Sequence, residues 1–331
     1  MKRHLEMRAA CLTAYGGPER VVLRDVPRPE PGPGQVRIRV VATTVSSGDA
    51  RVRAVRVPRG MATLMRLALG WSRPRQPVLG TELAGRIDAL GEGVTRWKLG
   101  DAVIVMRGIS MGAHAESVVQ PAEQKIVPMP AALSFEEGAA VCFGGLTALH
   151  YLRTVARLAE GERLLVIGAS GAVGSAAVQV ARVLGAHVTG VCSAANRELV
   201  SSLGAHRVLD YTREAFADTG ETWDAVLDCI GATPYARARG VLRPGGRLLR
   251  VVADLPAELA APFQGRGSGH RVTAGVSTER LEDMLDLCQW AEAGRFRPVL
   301  DSVFPFERIA EAHARVDSGH KRGSVVVQIS E

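Results

Sequence analysis

Residues 163–193 read RLLVIGASGAVGSAAVQVARVLGAHVTGVCS, and no other stretch narrows the fold as much. An apolar run, Arg163–Ile167, predicts a strand. The turn Gly168-Ala-Ser-Gly171-Ala-Val-Gly174 follows it. A helix is predicted over 172–184, with Val173, Ala177, Val180 and Leu184 on one side, and then a second strand over His187–Cys192. The spacing GxxGxxG is a weak signal by itself. Between a strand and a helix it stands in the context that a phosphate-binding turn demands. Glycines allow the tight turn and the close approach of backbone to phosphate. The helix N-terminus adds free N–H groups and the positive end of its dipole. Gly168, Ser170, Gly171, Ala172, Val173 and Gly174 are therefore candidate contacts to the pyrophosphate of a dinucleotide. The competing reading is a glycine-rich loop that only packs a helix on a sheet.

The end of the second strand bears on which dinucleotide. A site for NAD usually carries Asp or Glu there for the ribose hydroxyls. Here the strand runs into Val191-Cys192-Ser193-Ala194-Ala195-Asn196-Arg197, with no acid at its tip. A hydroxyl at Ser193 and a guanidinium at Arg197 suit a 2′-phosphate, which predicts NADPH. Arg197 can also be read as a solvated helix residue. Tyr211, after the next strand, is a candidate wall for the adenine.

The glycine turn sits in a stretch where strands and helices alternate. Further strands are predicted at 207–209, 225–229, 247–252 and 271–275, and a helix over 196–203. That alternation implies βαβ units and a mostly parallel sheet. Ser134, with Glu137 three residues on, forms a capping box where the pattern begins. The first third differs. Gln35–Val45 alternates Val36, Ile38 and Val40 with polar partners after a stiff Pro/Gly connector at 27–34. Glu82–Leu90, 101–106 and 115–120 are further short strands, the pattern of a barrel or sandwich. The tail returns to that style, with helices near 278–293 and 306–318 and a strand at 324–329.

Bulk properties restrict the setting. The 331 residues suffice for about two domains at roughly 100–200 residues each. The formal charge of +7 suits an anionic small molecule, and equally weak nucleic-acid binding. The arginines are dispersed with no interleaved aromatic platform, which argues against an RNA-binding surface. The five cysteines are scattered and never form CxxC, which speaks against a disulfide framework or a Cys-rich zinc site and for the reducing cytoplasm. The N-terminal MKRHLEMRAACLTAYGG has no apolar core for a secretory signal. The apolar stretch from Met61 to Trp71 is too short for a membrane span, which takes about 20 residues.

Several ordered blocks carry a family resemblance. They are PGPGQVRIRVVATTVSSGDARVR, PVLGTELAGRIDALGEGVTRWKLGDAVIVM, GAHAE, FGGLTALHYL, GASGAVG, LGAHRVLDYT and KRGSVVVQI. The chain resembles the medium-chain dehydrogenase/reductase superfamily, in its zinc-independent quinone oxidoreductase branch, over nearly its whole length. The resemblance implies an α/β fold: a Rossmann-type doubly wound parallel sheet inserted in a GroES-like, mainly β catalytic domain. The boundaries expected are 1–129 and 278–331 for the catalytic domain and 130–277 for the NADPH-binding domain. An active site in the cleft between them and a homodimer joined through the Rossmann sheets are also implied. Thr147, Cys229, Ile230 and the backbone at Ala274, Gly275 and Val276 join the candidate cofactor contacts.

Zinc enzymes of the superfamily have a cysteine where this chain has Ser46 and a histidine where it has Thr81. Hydroxyls are poor zinc ligands beside thiolate and imidazole, so no metal is expected. Ser46, Asp49 and His114 are the candidate catalytic residues. SSGD is also good turn chemistry, and His114 can equally be a satisfied interior histidine. Met61–Trp71, flanked by Arg51, Arg53, Arg56, Arg59, Arg66, Arg73 and Arg75, reads either as a lid favouring a hydrophobic substrate or as a surface helix. The function expected is NADPH-dependent reduction of a small hydrophobic electrophile, a quinone or an α,β-unsaturated carbonyl compound. The alternatives are an NADP-dependent alcohol/ketone oxidoreductase and a low-turnover nucleotide- or RNA-binding protein.

Overall fold

A computed structural model describes residues 5–56, 62–71 and 74–330. They fall into two compact units. One gathers the described residues up to Arg56, those of Ala62–Phe143 and those from Glu279 onward; the other is Gly144–Thr278.

The first unit is built on strands β1 (Glu6–Leu12), β2 (Val21–Pro27), β3 (Gln35–Val45), β4 (Glu82–Leu90), β5 (Ala102–Met106), β6 (Ser117–Pro121) and β7 (Ile126–Pro128). In the second unit lie β8 (Arg163–Ile167), β9 (His187–Cys192), β10 (Arg207–Asp210), β11 (Trp223–Asp228), β12 (Leu242–Arg250) and β13 (Arg271–Ala274). The chain returns to the first unit for β14 (Leu300–Pro305) and β15 (Ser324–Gln328).

In the first unit β14-β15-β3-β4-β5-β7 form one sheet, with β6 also paired to β3. Every pairing in it is antiparallel except β14 with β15. β3 is the hub. It pairs with β15, β4 and β6, and Val36, Ile38 and Val40 on it are fully buried. Around them Leu83, Ile87, Val103, Val105, Val325 and Val327 make the core. The alternation read from β3 holds over Val36–Val40, and from Val40 to Val45 every residue is buried, so both faces are covered near its end.

The second unit holds a six-stranded sheet in the order β10-β9-β8-β11-β12-β13, parallel throughout. Strand sequence runs outward from β8 in one direction and resumes at β11 in the other. That reversal is the topological switch point of doubly wound folds, where ligands settle outside the carboxyl ends of the strands. β8 is buried from Leu164 to Ile167, as a strand covered on both faces must be. The helix Ala172–Val183 connects β8 to β9 and buries nearly all of Gly174–Ala181.

Several elements were not expected from sequence, among them three strands of the first unit. The hairpin β1–β2 and the strand β14 mix polar and apolar residues without a clean period. The SSGD segment is also more than a turn: Ser46 caps an eight-residue helix, Ser47–Ala54. Of the expected lid, the helix spans Ala62–Leu69, while Met61, Arg59 and Arg73 lie outside the described residues.

Candidate active site

The glycine turn begins where β8 ends. Gly168 has φ +80°, a left-handed conformation that a side chain disfavours. The amides of Gly168 and Ala169 donate to Val191 O on β9 at 3.1 and 3.0 Å, which locks the turn against the next strand. A Cβ on Gly174 would stand 2.1 Å from Gly168 O, so helix and turn touch backbone to backbone. Gly171 is the N-cap, and a Cβ there would meet nothing closer than 3.6 Å. The first intrahelical bond runs from Ser175 N to Gly171 O. The amides of Ala172, Val173 and Gly174 precede it and have no place in the helical ladder. Open space beside free amides is what a pyrophosphate needs.

Beyond β9, Asn196 ties the turn to the strand end. Its Nδ2 donates to Ser170 Oγ at 3.0 Å and to Ser193 Oγ at 3.3 Å, and its Oδ1 is buried without a partner. Sequence reasoning passed over Asn196, although a short amide between two serines is a local signal. Arg197 donates one N–H to Val208 O at 3.3 Å. It lines a cavity of about 360 Å³ with Ser201, Arg207, Val208 and Glu214. Tyr211 is exposed, and its amide donates to Cys192 O. The nearest acid to this strand end is Asp210, paired with Cys192 in the sheet register. Its Oδ1 accepts from Thr212 N and Oγ1 at 3.0 and 2.8 Å.

The far side of the same sheet is fixed by a second carboxylate. Asp228 Oδ1 accepts from the amides of Ile230, Gly231 and Ala232, and Oδ2 from Thr233. This Asx-type turn holds Ile230 exposed beside Gly168, and burial and then Asp228 push the Cys229 thiol far up. Tyr151 donates to Gly275 O at 2.6 Å and contacts Arg250 O at 3.0 Å. It thereby fixes the backbone next to Ala274 and the exposed Val276. Thr147 Oγ1 lies 3.4 Å from Ser277 Oγ. Neither Asp228 nor Tyr151 was singled out from sequence.

In the first unit Ser46, Asp49 and Thr81 converge. Asp49 is fully buried. Its Oδ2 accepts from Ser46 N at 2.8 Å and from Ser46 Oγ at 2.6 Å, and its Oδ1 accepts from Gly80 N at 2.9 Å. Ser46 Oγ in turn accepts from Asp49 N at 3.1 Å. The next residue after Gly80 is Thr81, whose Oγ1 is buried with no partner. Glu82 is buried and accepts from Thr44 Oγ1 and Phe143 N, each at 2.6 Å. Burial pushes its carboxyl up to about 7, against the pull of those donors. His114 is fully buried, with Nε2 at 2.9 Å from Thr44 O. Its ring meets that of His313 edge to face at 5.6 Å between centroids.

The positions that the resemblance gives to zinc ligands thus carry two hydroxyls. Cys142 nearby is buried, and its thiol is pushed well up by burial and by Glu82. Two alcohols and a reluctant thiol do not suit Zn²⁺. Among the described residues, no group of three or more His, Cys, Asp and Glu is arranged to hold a metal ion. No helix among them is long and apolar enough to cross a membrane.

Comparison with known proteins agrees with this layout. Residues 32–131 match the family described as alcohol dehydrogenase GroES-like domain, and residues 203–327 that described as zinc-binding dehydrogenase. The chain is 32% identical over 335 residues to a quinone oxidoreductase of Pseudomonas aeruginosa, covering 95% of this chain and 97% of the relative. It is 31% identical over 337 residues to the chloroplast envelope quinone oxidoreductase homolog of Arabidopsis thaliana, covering 97% and 98%. The solved quinone oxidoreductase of Coxiella burnetii shares the fold, with a TM-score of 0.85 at 24% identity over 98% of this chain and 99% of that one.

Buried His313 should make the first unit sensitive to acid. His313 is fully buried with both ring nitrogens unpartnered. Burial, then His114 and Arg53, hold its pKa well below the ordinary histidine value. The unfolded chain therefore takes up the proton first. Stability from this group is complete above about pH 6.5 and falls as pH drops below it, by at most about 1.4 kcal/mol per pH unit. Replacing His313 by Leu should shrink the difference in urea midpoint between pH 7.5 and 5.5. An unchanged difference would remove His313 as the cause.

Proposed function

The chain belongs to the quinone oxidoreductase-like branch of the medium-chain dehydrogenase/reductase superfamily, and from that membership we propose that it uses NADPH to reduce quinones or α,β-unsaturated carbonyl compounds without zinc. It is an oxidoreductase, and enzymes of this superfamily bind a nicotinamide cofactor. The observation that carries the finer reading is the pair of hydroxyls at Ser46 and Thr81. A simple ketone concentrates charge on one oxygen as it is reduced, and a metal is the usual way to hold that charge. A conjugated acceptor spreads it. The acceptor is then a small hydrophobic electrophile.

NADPH, when bound, supplies the hydride. The chain's part is to hold and orient. Free amides at Ala172, Val173 and Gly174 take the pyrophosphate, with Gly168, Ser170 and Gly171 shaping the turn. Ser193 and Arg197 take the 2′-phosphate, and Tyr211 flanks the adenine. Arg197 keeps most of its donors after the bond to Val208 O, since a guanidinium has five. Asp210 Oδ1 is held by the Thr212 amide and hydroxyl, while its Oδ2 is buried without a hydrogen-bond partner. Cys229, Ile230, Thr147 and the backbone at Ala274, Gly275 and Val276 frame the nicotinamide. Ser46, Asp49 and His114 form the wall beside the acceptor.

A homodimer joined through β13 fits the same reading. β13 is an edge of the six-stranded sheet, and the neighbouring helix Leu255–Ala260 leaves Leu259 exposed, with Phe263 exposed just beyond it. An edge strand beside apolar side chains is completed by a two-fold partner. The free thiols suit the cytoplasm. Light scattering at micromolar concentration should give the mass of a dimer, and a monomer mass would exclude this assembly.

Two further outcomes test the chemistry. Arg197→Ala should weaken NADPH binding by about 1.5–3 kcal/mol, the scale of a charged hydrogen bond, with little change for NADH. Equal losses for the two cofactors would remove Arg197 from the phosphate. In steady-state kinetics, kcat/KM for an enone should exceed that for the matching saturated ketone and survive treatment with a chelator. A faster ketone, or activity lost with the metal, would favour the alcohol-dehydrogenase alternative.

A further inference from the structure

We infer that Thr81 is the hydrogen-bond donor to the acceptor's oxygen, a role that Ser46, Asp49 and His114 cannot fill. The inference rests on the reading of the acceptor as a quinone or enone, and it comes from counting protons in the first unit. Hydride delivered to carbon leaves the electron pair on the conjugated oxygen, as an enolate or hydroquinone anion. That oxygen needs a donor.

Ser46 has one hydroxyl proton. It is committed to Asp49 Oδ2 at 2.6 Å, and its oxygen already accepts Asp49 N. Both oxygens of Asp49 are taken up as acceptors of three hydrogen bonds, from Ser46 N, Ser46 Oγ and Gly80 N. His114 faces the carbonyl Thr44 O through Nε2. A carbonyl only accepts, so a neutral His114 carries its proton on Nε2 and has a bare lone pair at Nδ1. Nδ1 is indeed without a partner. Glu82 accepts from Thr44 and from Phe143 N through its two oxygens.

Thr81 alone in this group keeps a hydroxyl proton with no acceptor. Asp49 fixes its position by holding Gly80 N, and the amides of Arg107 and Gly108 fix its carbonyl at 2.7 and 3.1 Å. The residue is 8% exposed, and Oγ1 itself is buried. A 120° rotation about χ1 would carry the hydroxyl into the staggered position that the methyl now holds. An arriving oxygen gives the proton its partner, and an orphaned buried hydroxyl becomes a satisfied one.

The test compares Thr81→Val, which keeps the shape and loses the donor, with Thr81→Ser, which keeps the donor. Thr81→Ala serves if the valine variant fails to fold. With benzalacetone as acceptor, Thr81→Val should lower kcat/KM by about a hundredfold, the scale of a lost oxyanion donor, and Thr81→Ser should recover most of it. NADPH affinity should not move in either. A second readout needs no turnover. The infrared carbonyl stretch of benzalacetone bound with oxidised cofactor should lie lower in wild type and Thr81→Ser than in Thr81→Val. If wild type reduces neither quinone nor enone yet the stretch still depends on Thr81, the proposed function fails and the donor stands. If Thr81→Val matches wild type in rate and in stretch, or the stretch shows no dependence on Thr81, the inference is overturned.

Discussion

The buried carboxylate of Asp49 sets the geometry of the first unit's polar centre. Removing a carboxylate from water costs several kcal/mol unless donors surround it. Asp49 meets that cost with two backbone amides and one hydroxyl, all at hydrogen-bond distance. The arrangement welds three segments of sequence. Ser46 is held at the end of β3, the helix Ser47–Ala54 is capped, and Gly80 is drawn in ahead of β4. Satisfying Asp49 also consumes Ser46. The same bonds that order the site thus decide which of its hydroxyls stays free.

Much of the fold was legible because each unit has its own hydrophobic period. β8 is a continuous apolar run, and β3 shows alternation over Val36, Ile38 and Val40. These patterns follow from burial on two faces or one. β1, β2 and β14 were not legible for the same physical reason. EMRAACL, VVLRDVP and LDSVFP are half-covered segments whose polar residues find partners far off in sequence, as Arg8 does with Glu116 and Glu307. Their strand character comes from pairing rather than from pattern. The helix after Ser46 was hidden because S-x-x-D serves a turn and a capping box alike.

The glycine turn was legible because what shapes it lies in the backbone, and backbone requirements show as glycine. Its supports were not. Asn196 and Asp228 act by bridging segments, and the value of a bridging side chain depends on what the fold brings within 3 Å of it. The same holds for His313. Nothing in AEAHARV separates a buried histidine from an exposed one, since the alanines around it suit either face.

The distribution of unmet hydrogen bonds separates structural from functional polarity. Native interiors leave few buried polar atoms unpaired, and each exception costs about 1–3 kcal/mol. In the first unit the orphans include Thr81 Oγ1, His114 Nδ1, both nitrogens of His313 and Arg53 Nε. Arg53 still holds Asp317 and Gly16 O, so its remaining N–H is the margin of a structural pair. The two histidine rings meet edge to face, and burial holds the pKa of His313 well below the ordinary value. Thr81 differs from both. Its neighbours in sequence are pinned on either side, its hydroxyl serves no fold contact, and a valine would fill its volume without the polar penalty.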